Sequence, residues 1–410
     1  METKKEGLLN MDKNQKLALL VVFIAIFTDM LIYCMIVPIL PEYASGLGAS
    51  QQMIGLLFAS YAITFLLAAP VVGVLSDRVG RKLPMLVGLL GLFGSTLLFA
   101  FSSDLTMLFV ARALQGVSAG ATWTAGLALL SDLFPPKMRQ QAIGIGISGS
   151  FAGTLLGPLF GGALYEYGGY ALPFLAAAGL VLIDGIARLL LLKDPPRLPA
   201  EQQVSLKSML KNRTILLMAG VIVLVSAATA LLEPVLPLYL SDVLKVSPTM
   251  IGLLFAVTVV ASLIASPLSY KVAERFGRKR VIIAGLICSA LILPTLALSG
   301  SFILEVVLMA ALGGVLAIGL ASVPLEMTDV IDRLGQGGYG AVYAIYNLAL
   351  SFGMMAGPIA GGLLAGSFGI TAGLGIGGAF MIGYAMLLLI VMRGSGKASE
   401  EGTVVSVSTQ

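Results

Sequence analysis

Three acidic residues, Asp29, Glu233 and Glu326, stand inside long apolar stretches of the sequence. An ionised side chain near the centre of a bilayer costs about 2.5 to 3.5 kcal/mol by insertion scales, so such residues are rare unless they have a use. Burial disfavours the charged form of a carboxylate, so these groups could bind protons near neutral pH and lose them when a cation arrives. Since the chain has no histidine, proton coupling would rest mainly on carboxylates.

The positions of the three acids predict a staggered arrangement across the membrane. Asp29 lies about 18 Å along a helix that begins at Leu17, close to mid-membrane. Glu233 directly precedes Pro234, whose ring removes a backbone donor and frees a carbonyl. Glu233 is expected toward the outside and Glu326 in the inner half of its span. The alternative is that each acid is a structural residue that is hydrogen-bonded between helices.

Aromatic and amide side chains offer a second kind of chemistry, because aromatic faces attract organic cations. Tyr343, Tyr346 and Asn347 are spaced to share one face of a helix. Tyr61 and Trp123 lie in other spans and complete the candidate binding set. Packing or lipid-facing aromatic residues are the open alternative for each ring.

Charged residues near the ends of the spans are candidates for gating. Arg112 is buried in an apolar stretch, so it needs an anionic partner, which we expect to be Asp132 or Asp77 at the cytoplasmic ends. Asp77, Arg78 and Arg81 belong to the same gating set, with simple loop capping as the alternative. Asp184 and Arg188 are four residues apart and are predicted to form a structural pair.

Several motifs that usually indicate enzymes do not fit their context. A G-x-S-x-G pattern at 116–120 lies inside a membrane helix, and without histidine it cannot form a hydrolase triad. A G-x-G-x-x-G pattern at 144–149 follows no strand. Cys34 and Cys288 are the only cysteines and suggest neither a disulfide nor a metal site. We therefore predict no enzyme activity, no cofactor, no metal and no nucleic-acid partner.

The composition requires a membrane as the main solvent. Of the 410 residues, 58% are hydrophobic and 11% are charged. Apolar stretches of about 20 residues recur twelve times between Leu17 and Met392, and only helices can satisfy their backbones in lipid. All but Lys245, Arg112 and Arg188 of the 25 Lys and Arg residues fall on one side of these spans. The positive-inside rule then predicts an inner (plasma) membrane protein with both termini in the cytoplasm.

The two halves of the chain repeat each other. The sequence IGLLFA at 54–59 returns at 251–256, and the pattern around Asp77 and Arg81 returns at 274–279. A Gly-Pro motif recurs as well, with Gly157 and Pro158 matched by Gly357 and Pro358. Small residues let backbones approach closely, so these motifs are candidates for the sliding contact between the halves, with static close packing as the alternative.

This repeat predicts an all-α membrane protein of twelve transmembrane helices in two pseudo-symmetric six-helix bundles, the organisation of alternating-access transporters. The predicted divisions are an N-terminal bundle at 1–192, a cytoplasmic linker at 193–213, a C-terminal bundle at 214–393 and a flexible tail at 394–410.

The loop GVLSDRVGRK at 73–82 resembles the signature between helices 2 and 3 of the major facilitator superfamily. RALQG at 112–116 and the glycines at 153–162 resemble its second motif and its antiporter motif. LYEY at 164–167, LIDG at 182–185 and LEP at 232–234 are similar to the vesicular monoamine transporters. The resemblance implies the major facilitator fold and a drug:H⁺ antiporter that is a bacterial homologue of those transporters.

The sequence also departs from that family. The family's lysine in helix 2 falls on Tyr61, and the aspartate that pairs with it in helix 11 falls on Asn347. Glu326 is the acid nearest in character to the family's aspartate in helix 10. Loss of both charges of a pair is chemically consistent, because one unpaired charge would be costly.

We therefore expect a monomeric, proton-coupled antiporter that exports small cationic amines or lipophilic cationic drugs across the lipid bilayer. One alternative is a broad multidrug exporter without monoamine preference. Another is a transport-like membrane protein that binds a ligand and signals.

Overall fold

The computed structural model describes residues 11–192, 211–334 and 339–407, with the side chains at 136, 137, 332–341, 343 and 392–407 excepted. These residues form helices joined by short loops. The helices are α1 (Lys13–Met35), α2 (Leu40–Gly46), α3 (Gln51–Val79), α4 (Lys82–Ala100), α5 (Leu105–Leu133), α6 (Pro136–Gly168), α7 (Ala171–Leu191), α8 (Arg213–Asp242), α9 (Pro248–Phe276), α10 (Arg278–Leu296), α11 (Phe302–Ala321), α12 (Val323–Leu334), α13 (Tyr339–Phe368) and α14 (Ile370–Val407).

Matching residues start and stop the helices of the two halves. The side chains of Ser50 and Ser247 accept a hydrogen bond from a backbone N–H in the first turn of α3 and α9, which satisfies a donor that the helix leaves free. Gly80 and Gly277 end the same two helices with φ values of 96° and 86°, a region that favours glycine. The same types of residue therefore begin and end the matching helices α3 and α9 in the two bundles.

Eleven helices within the described residues are long and apolar enough to cross a membrane. Helix α5, which contains the predicted fourth span, is not among them, although it is 29 residues long. It carries Arg112, Gln115 and many small residues, and it packs against α3 and α4. The chain is thus a multi-pass membrane protein, and α5 is shielded by its own neighbours.

The helices pack in two bundles with the same pattern of neighbours. In the first bundle α1 packs on α6, and α3 and α4 pack on α5. In the second bundle α8 packs on α13, and α9 and α10 pack on α11. The bundles meet where α3 contacts α13 and where α6 contacts α9. The predicted linker falls mostly on residues 193–210, and the end of the predicted tail on 408–410, which lie outside the described residues.

Glycines allow the two bundles to touch backbone to backbone. A Cβ atom added at Gly55 of α3 would overlap the carbonyl oxygen of Pro358, and one added at Gly252 of α9 would overlap that of Pro158. Gly157 faces the carbonyl oxygen of Leu31 within the first bundle. Gly357 likewise packs within the second bundle, against α8. Of the predicted contact residues, the prolines therefore lie between the bundles and the two glycines beside them do not.

We call the face where α3 ends and α4 begins the basic face, because it carries Arg78, Arg81 and Lys82 in one bundle and Arg275, Arg278 and Lys279 in the other. The other end of the molecule is the opposite face. Hydrogen bonds between the bundles cluster toward the opposite face: Gln51 donates to the carbonyl of Pro234 at 2.9 Å, and the backbone N–H of Thr249 donates to Glu166 at 2.8 Å. The opposite face is closed in this structure.

Replacing Gly55 or Gly252 by alanine should open that face. The added methyl group meets backbone rather than a flexible side chain, and overpacking of this kind costs about 1 to 3 kcal/mol. In a Cys288→Ser background, an impermeant maleimide should then label the buried Cys34 several-fold faster than in the parent protein. Gly144→Ala is the matched control, because nothing lies within 4 Å of the added atom. Unchanged labelling of Cys34 would mean that these contacts do not hold the face closed.

Candidate functional site

Asp29 is fully buried among three helices of the first bundle. Its Oδ2 atom accepts a hydrogen bond from the indole N–H of Trp123 at 2.9 Å and one from the hydroxyl of Tyr61 at 3.2 Å. Its Oδ1 atom has no hydrogen-bond partner among the described residues. The structure thus brings together three residues that the sequence proposed as binding groups, and it leaves one carboxylate oxygen able to accept another donor.

Glu233 reaches across the boundary between the bundles. The hydroxyl of Tyr33 on α1 donates to its Oε2 atom at 2.8 Å. Beside it, Gln51 of α3 is bonded to the Pro234 carbonyl. Tyr33 is four residues beyond Asp29, so it lies on the same side of α1. The acids of the two bundles are therefore connected through one turn of one helix.

Arg112 supplies the positive charge of the site. It is fully buried, and its guanidinium carbon lies 4.5 Å from the ring centre of Tyr33, 5.2 Å from that of Phe58 and 5.0 Å from that of Tyr61. One of its amino groups donates to Gln115 at 2.9 Å, while Nε and the other amino group have no hydrogen-bond partner among the described residues. Arg112 acts electrostatically on both Asp29 and Glu233.

The predicted pairing of Arg112 with Asp132 or Asp77 is wrong. Arg112 and Asp132 are on the same helix, and at about 1.5 Å per residue they lie roughly 30 Å apart along it. Arg112 sits toward the opposite face and is held by aromatic rings. In water this arrangement would be weak, but desolvated cation–π contacts are worth up to about 2 kcal/mol each.

The rings around Arg112 form a compact group that we call the central cluster. Tyr33 and Tyr61 are 4.6 Å apart between ring centres. Apolar side chains close the space around these rings and include Phe65 of α3 and Met354 and Met355 of α13. The central cluster consists of the acids, the arginine and their direct partners: Asp29, Tyr33, Phe58, Tyr61, Arg112, Gln115, Trp123 and Glu233.

The structure describes only part of the helix face that was predicted to bind cations through Tyr343, Tyr346 and Asn347. Tyr346 packs against the core of the second bundle, and Asn347 is exposed. The side chain of Tyr343 lies outside the described residues. The helix that carries these residues reaches the central cluster through Met354 and Met355 instead.

Glu326 lies apart from the other two acids. It is half-buried and lines a cleft at the basic face together with Arg275, Arg278 and Arg280. The position that matches it in the first bundle is occupied by the buried Leu129. The predicted trio of staggered acids is therefore reduced to Asp29 and Glu233 at the central cluster.

The gating residues at the basic face connect helices within one bundle. Arg81 contacts Asp77 at 2.6 Å and Asp132 at 2.8 Å, which ties together the ends of α3, α4 and α5. Burial lowers the pKa of Arg81, but hydrogen bonds and charges of Asp132 and Asp77 outweigh it and raise the pKa above its ordinary value. Arg278 and Asp329 form the matching pair in the second bundle at 2.5 Å. Arg78 lies exposed beside this cluster.

The predicted pair of Asp184 and Arg188 is confirmed. The two side chains are fully buried and 2.5 Å apart. The guanidinium also donates to the Met85 carbonyl at 2.8 Å and to Thr122 at 3.2 Å. This pair links α7 to α4 and α5 and behaves as a satisfied structural group.

Sequence reasoning missed four residues of the site. Tyr33, Phe58 and Gln115 complete the central cluster, and Glu166 accepts a hydrogen bond across the opposite face. The spacing from Asp29 could have identified Tyr33, and that from Arg112 could have identified Gln115. Local spacing carries no signal for Phe58 or Glu166, because both meet residues of other helices.

Two features of the structure point to the class of the protein: a bundle of membrane helices that is repeated in order, and opposite charges that meet near the boundary between the repeats. The sequence model described as Major Facilitator Superfamily matches residues 22–232 and 218–405. The chain therefore belongs to this superfamily, whose members are transporters and not enzymes.

The similar proteins include amine transporters and acetylcholine transporters. The chain is 35% identical to the chromaffin granule amine transporter of Rattus norvegicus over 337 residues, which cover 82% of this chain and 64% of that protein. It is 29% identical to the probable vesicular acetylcholine transporter-B of Danio rerio over 401 residues, covering 93% of this chain and 80% of that one. The chain thus spans less than two thirds of the amine transporter that it matches.

A solved structure supports the fold. A bacterial homolog to the human lysosomal transporter Spinster, in an inward-facing and occupied conformation, superposes with a TM-score of 0.77. The sequences are 16% identical, and the match covers 94% of this chain and 98% of the other. At this identity the likeness concerns the fold alone.

The electrostatic role of Arg112 can be tested by Arg112→Met, which introduces the residue that the second bundle carries at the matching position, Met309. Ionised Asp29 and Glu233 would lose their compensating charge, so the melting temperature should fall by several degrees more at neutral pH than at acidic pH, where the acids are protonated. The melting temperature of the Arg112→Lys variant, which keeps the charge, should fall less. An equal loss at both pH values would assign Arg112 a packing role only.

Proposed function

We propose that this protein is a proton-coupled antiporter that exports small organic cations by alternating access. The observation that carries the proposal is the charge of the central cluster. Arg112 acts electrostatically on both Asp29 and Glu233. Arg188 also acts on Asp29, but its own charge is already balanced by Asp184. With both acids ionised, Asp29, Glu233 and Arg112 therefore leave one negative charge uncompensated. A buried site of this kind requires one more positive charge.

Either one proton or one monovalent organic cation restores neutrality to the cluster. The two ligands are then alternatives, because both together would leave a buried positive charge. Mutually exclusive occupancy of one site is what exchange requires. Exchange of one proton for one monovalent cation moves no net charge across the membrane, so the pH gradient drives it, at about 1.4 kcal/mol per pH unit, and can support accumulation of the cation outside.

The aromatic rings suit an organic cation better than an inorganic ion. Tyr33, Phe58 and Tyr61 surround the flat guanidinium of Arg112, which shows that the rings of this site stabilise a desolvated organic cation. Asp29 Oδ1 remains as an acceptor for its N–H groups. The rat relative is named for amine transport, which agrees with this choice of ligand.

The hydrogen bond between Tyr33 and Glu233 supports a link between binding and movement. It joins the two bundles, and it competes with any proton or cation that occupies the same carboxylate oxygen. A ligand that binds one conformation better shifts the population toward it. Occupancy of Glu233 would therefore loosen the opposite face, and the reverse reaction would close it again.

The orientation follows from the basic residues. We assign the basic face and both termini to the cytoplasm, and the chain to the inner (plasma) membrane. The central cluster lies between two bundles of one chain, so a monomer is sufficient for transport. We keep the division into bundles at 1–192 and 214–393 with a cytoplasmic linker at 193–213.

A broad multidrug exporter without monoamine preference is the second candidate. Tyr61 and Asn347 are neutral where the resemblance to monoamine transporters leads one to expect a charged pair. Methionines line the central cluster, and their flexible, polarisable side chains adapt to ligands of different shape. These two features favour a less selective site.

Neutralising Glu233 tests the proposal. In proteoliposomes with an imposed pH gradient, Glu233→Gln should lower gradient-driven uptake by about tenfold or more, which corresponds to roughly 1.4 kcal/mol, since the amide cannot exchange a proton. Uptake of labelled serotonin or dopamine indicates a monoamine-type antiporter, and uptake of ethidium alone indicates a multidrug exporter.

Glu326→Gln is the matched control, because it removes an acid that lies outside the central cluster. It should retain most of the gradient-driven uptake. If Glu233→Gln transports like the parent protein while Glu326→Gln does not, the assignment of the coupling site is wrong. Uptake that ignores the gradient in the parent protein would exclude proton coupling.

A further inference from the structure

A tyrosine anchors the loop before α5 in the first bundle. The hydroxyl of Tyr43 on α2 donates to the Ser102 carbonyl at 2.7 Å. The ring of Tyr43 stacks on that of Tyr170 with 3.5 Å between centres, and the Tyr170 hydroxyl lies 3.0 Å from Ser102 Oγ. Aromatic and hydroxyl groups alone build this anchor near the opposite face.

The second bundle contains the same anchor with one change. The hydroxyl of Tyr239 donates to the Ser299 carbonyl at 3.0 Å, which repeats the bond of Tyr43 with Ser102. Ile370 stands at the position that matches Tyr170. The hydroxyl of Ser299 has a different partner and donates a hydrogen bond to the carboxylate of Glu305.

The acid is an addition that the architecture does not require. The residue that matches Glu305 in the first bundle is Leu108, which is fully buried. Each of the two positions lies in the first turn of its helix, α11 and α5. Because a leucine serves the first bundle, packing alone does not explain a glutamate in the second.

Glu305 is buried without a counter-charge. Its side chain is fully buried, and its Oε2 atom has no hydrogen-bond partner among the described residues. It forms no ion pair with the part of the chain that the structure describes. The groups facing it do not carry a positive charge: Tyr239 comes from α8, Ser299 from the preceding loop, and Thr371 of α14 is bonded to that loop.

Opposing influences act on this carboxyl group. Burial without a counter-charge favours the neutral, protonated form. The N-terminus of α11 and the hydroxyl of Ser299 favour the ionised form. Exposed residues Leu298 and Gly300 flank Ser299, so the group lies close to water at the opposite face. Such a balance suits a group that exchanges a proton.

We propose that Glu305 is a second proton-binding site, which exchanges its proton with water at the opposite face and is separate from the central cluster. The O–H bond of the carboxyl group breaks, the proton passes to water and the carboxylate keeps the hydrogen bond from Ser299. Tyr239 links this site to the end of α8, where Ser241 donates to Glu42 of the first bundle at 3.3 Å. The inference goes beyond the proposed function, because it holds whether or not the central acids carry protons.

Infrared titration of the purified full-length protein tests the site without a substrate. The carbonyl stretch of protonated carboxyl groups should lose one component as the pH rises, and Glu305→Gln should lack that component. Ser299→Ala removes the donor to the ionised form and should shift the transition to higher pH. The component should persist in the double variant Asp29→Asn, Glu233→Gln, which separates this site from the central cluster.

Glu305→Leu copies the residue of the first bundle and provides a second variant if the glutamine protein does not fold. It should lack the same component and keep the fold. The proposal is overturned if both folded variants give the same titration difference as the parent protein. It is also overturned if the Glu305 component stays fully protonated, or fully ionised, over the pH range in which the protein transports.

Discussion

Two carboxylates and one guanidinium meet inside the protein, where Asp29 and Arg112 are fully buried and Glu233 is half-buried, and their formal charges do not cancel. Asp29 and Arg112 belong to the first bundle, whereas Glu233 belongs to the second. Burying such groups costs several kcal/mol per ion unless partners compensate. Trp123, Tyr61 and Tyr33 provide hydrogen bonds, and the tyrosine rings cover the guanidinium. In the proposed function, a proton or a cation would neutralise the remaining negative charge.

The contact surfaces between the bundles lie beside the hydrogen bond of Tyr33 with Glu233. Glu233 of α8 contacts Tyr33 of α1 across the boundary between the bundles, and the same boundary contains the backbone contacts of Gly55 with Pro358 and of Gly252 with Pro158. Backbone contacts without side chains leave few rotamers to rearrange when the bundles move. Two bundles that move as units against each other are compatible with two discrete arrangements, which alternating access requires.

The internal repeat separates what holds the fold from what carries the chemistry. The pairs of Arg81 with Asp132 and of Arg278 with Asp329 occur in both bundles, as do the anchors made by Tyr43 and Tyr239. Four acids and one arginine have no charged counterpart in the other bundle. Asp29, Arg112, Glu233, Glu305 and Glu326 are matched by Val225, Met309, Val37, Leu108 and Leu129. Because apolar residues serve at the matching positions, the repeated architecture does not require these charges.

The sequence by itself determined the membrane class, the helices and their repetition, because hydrophobic length, capping residues and matched motifs are local properties. It also determined the Asp184 and Arg188 pair, since four residues in a helix bring two side chains together whatever surrounds them. Only the tertiary structure decided that Arg112 belongs with Tyr33 and that Glu326 lies at the basic face, away from Asp29. It also decided that Glu305, at the end of a helix, is buried. These results depend on which helices become neighbours, and neither the spacing of residues within one helix nor its hydropathy specifies the helix that packs against it.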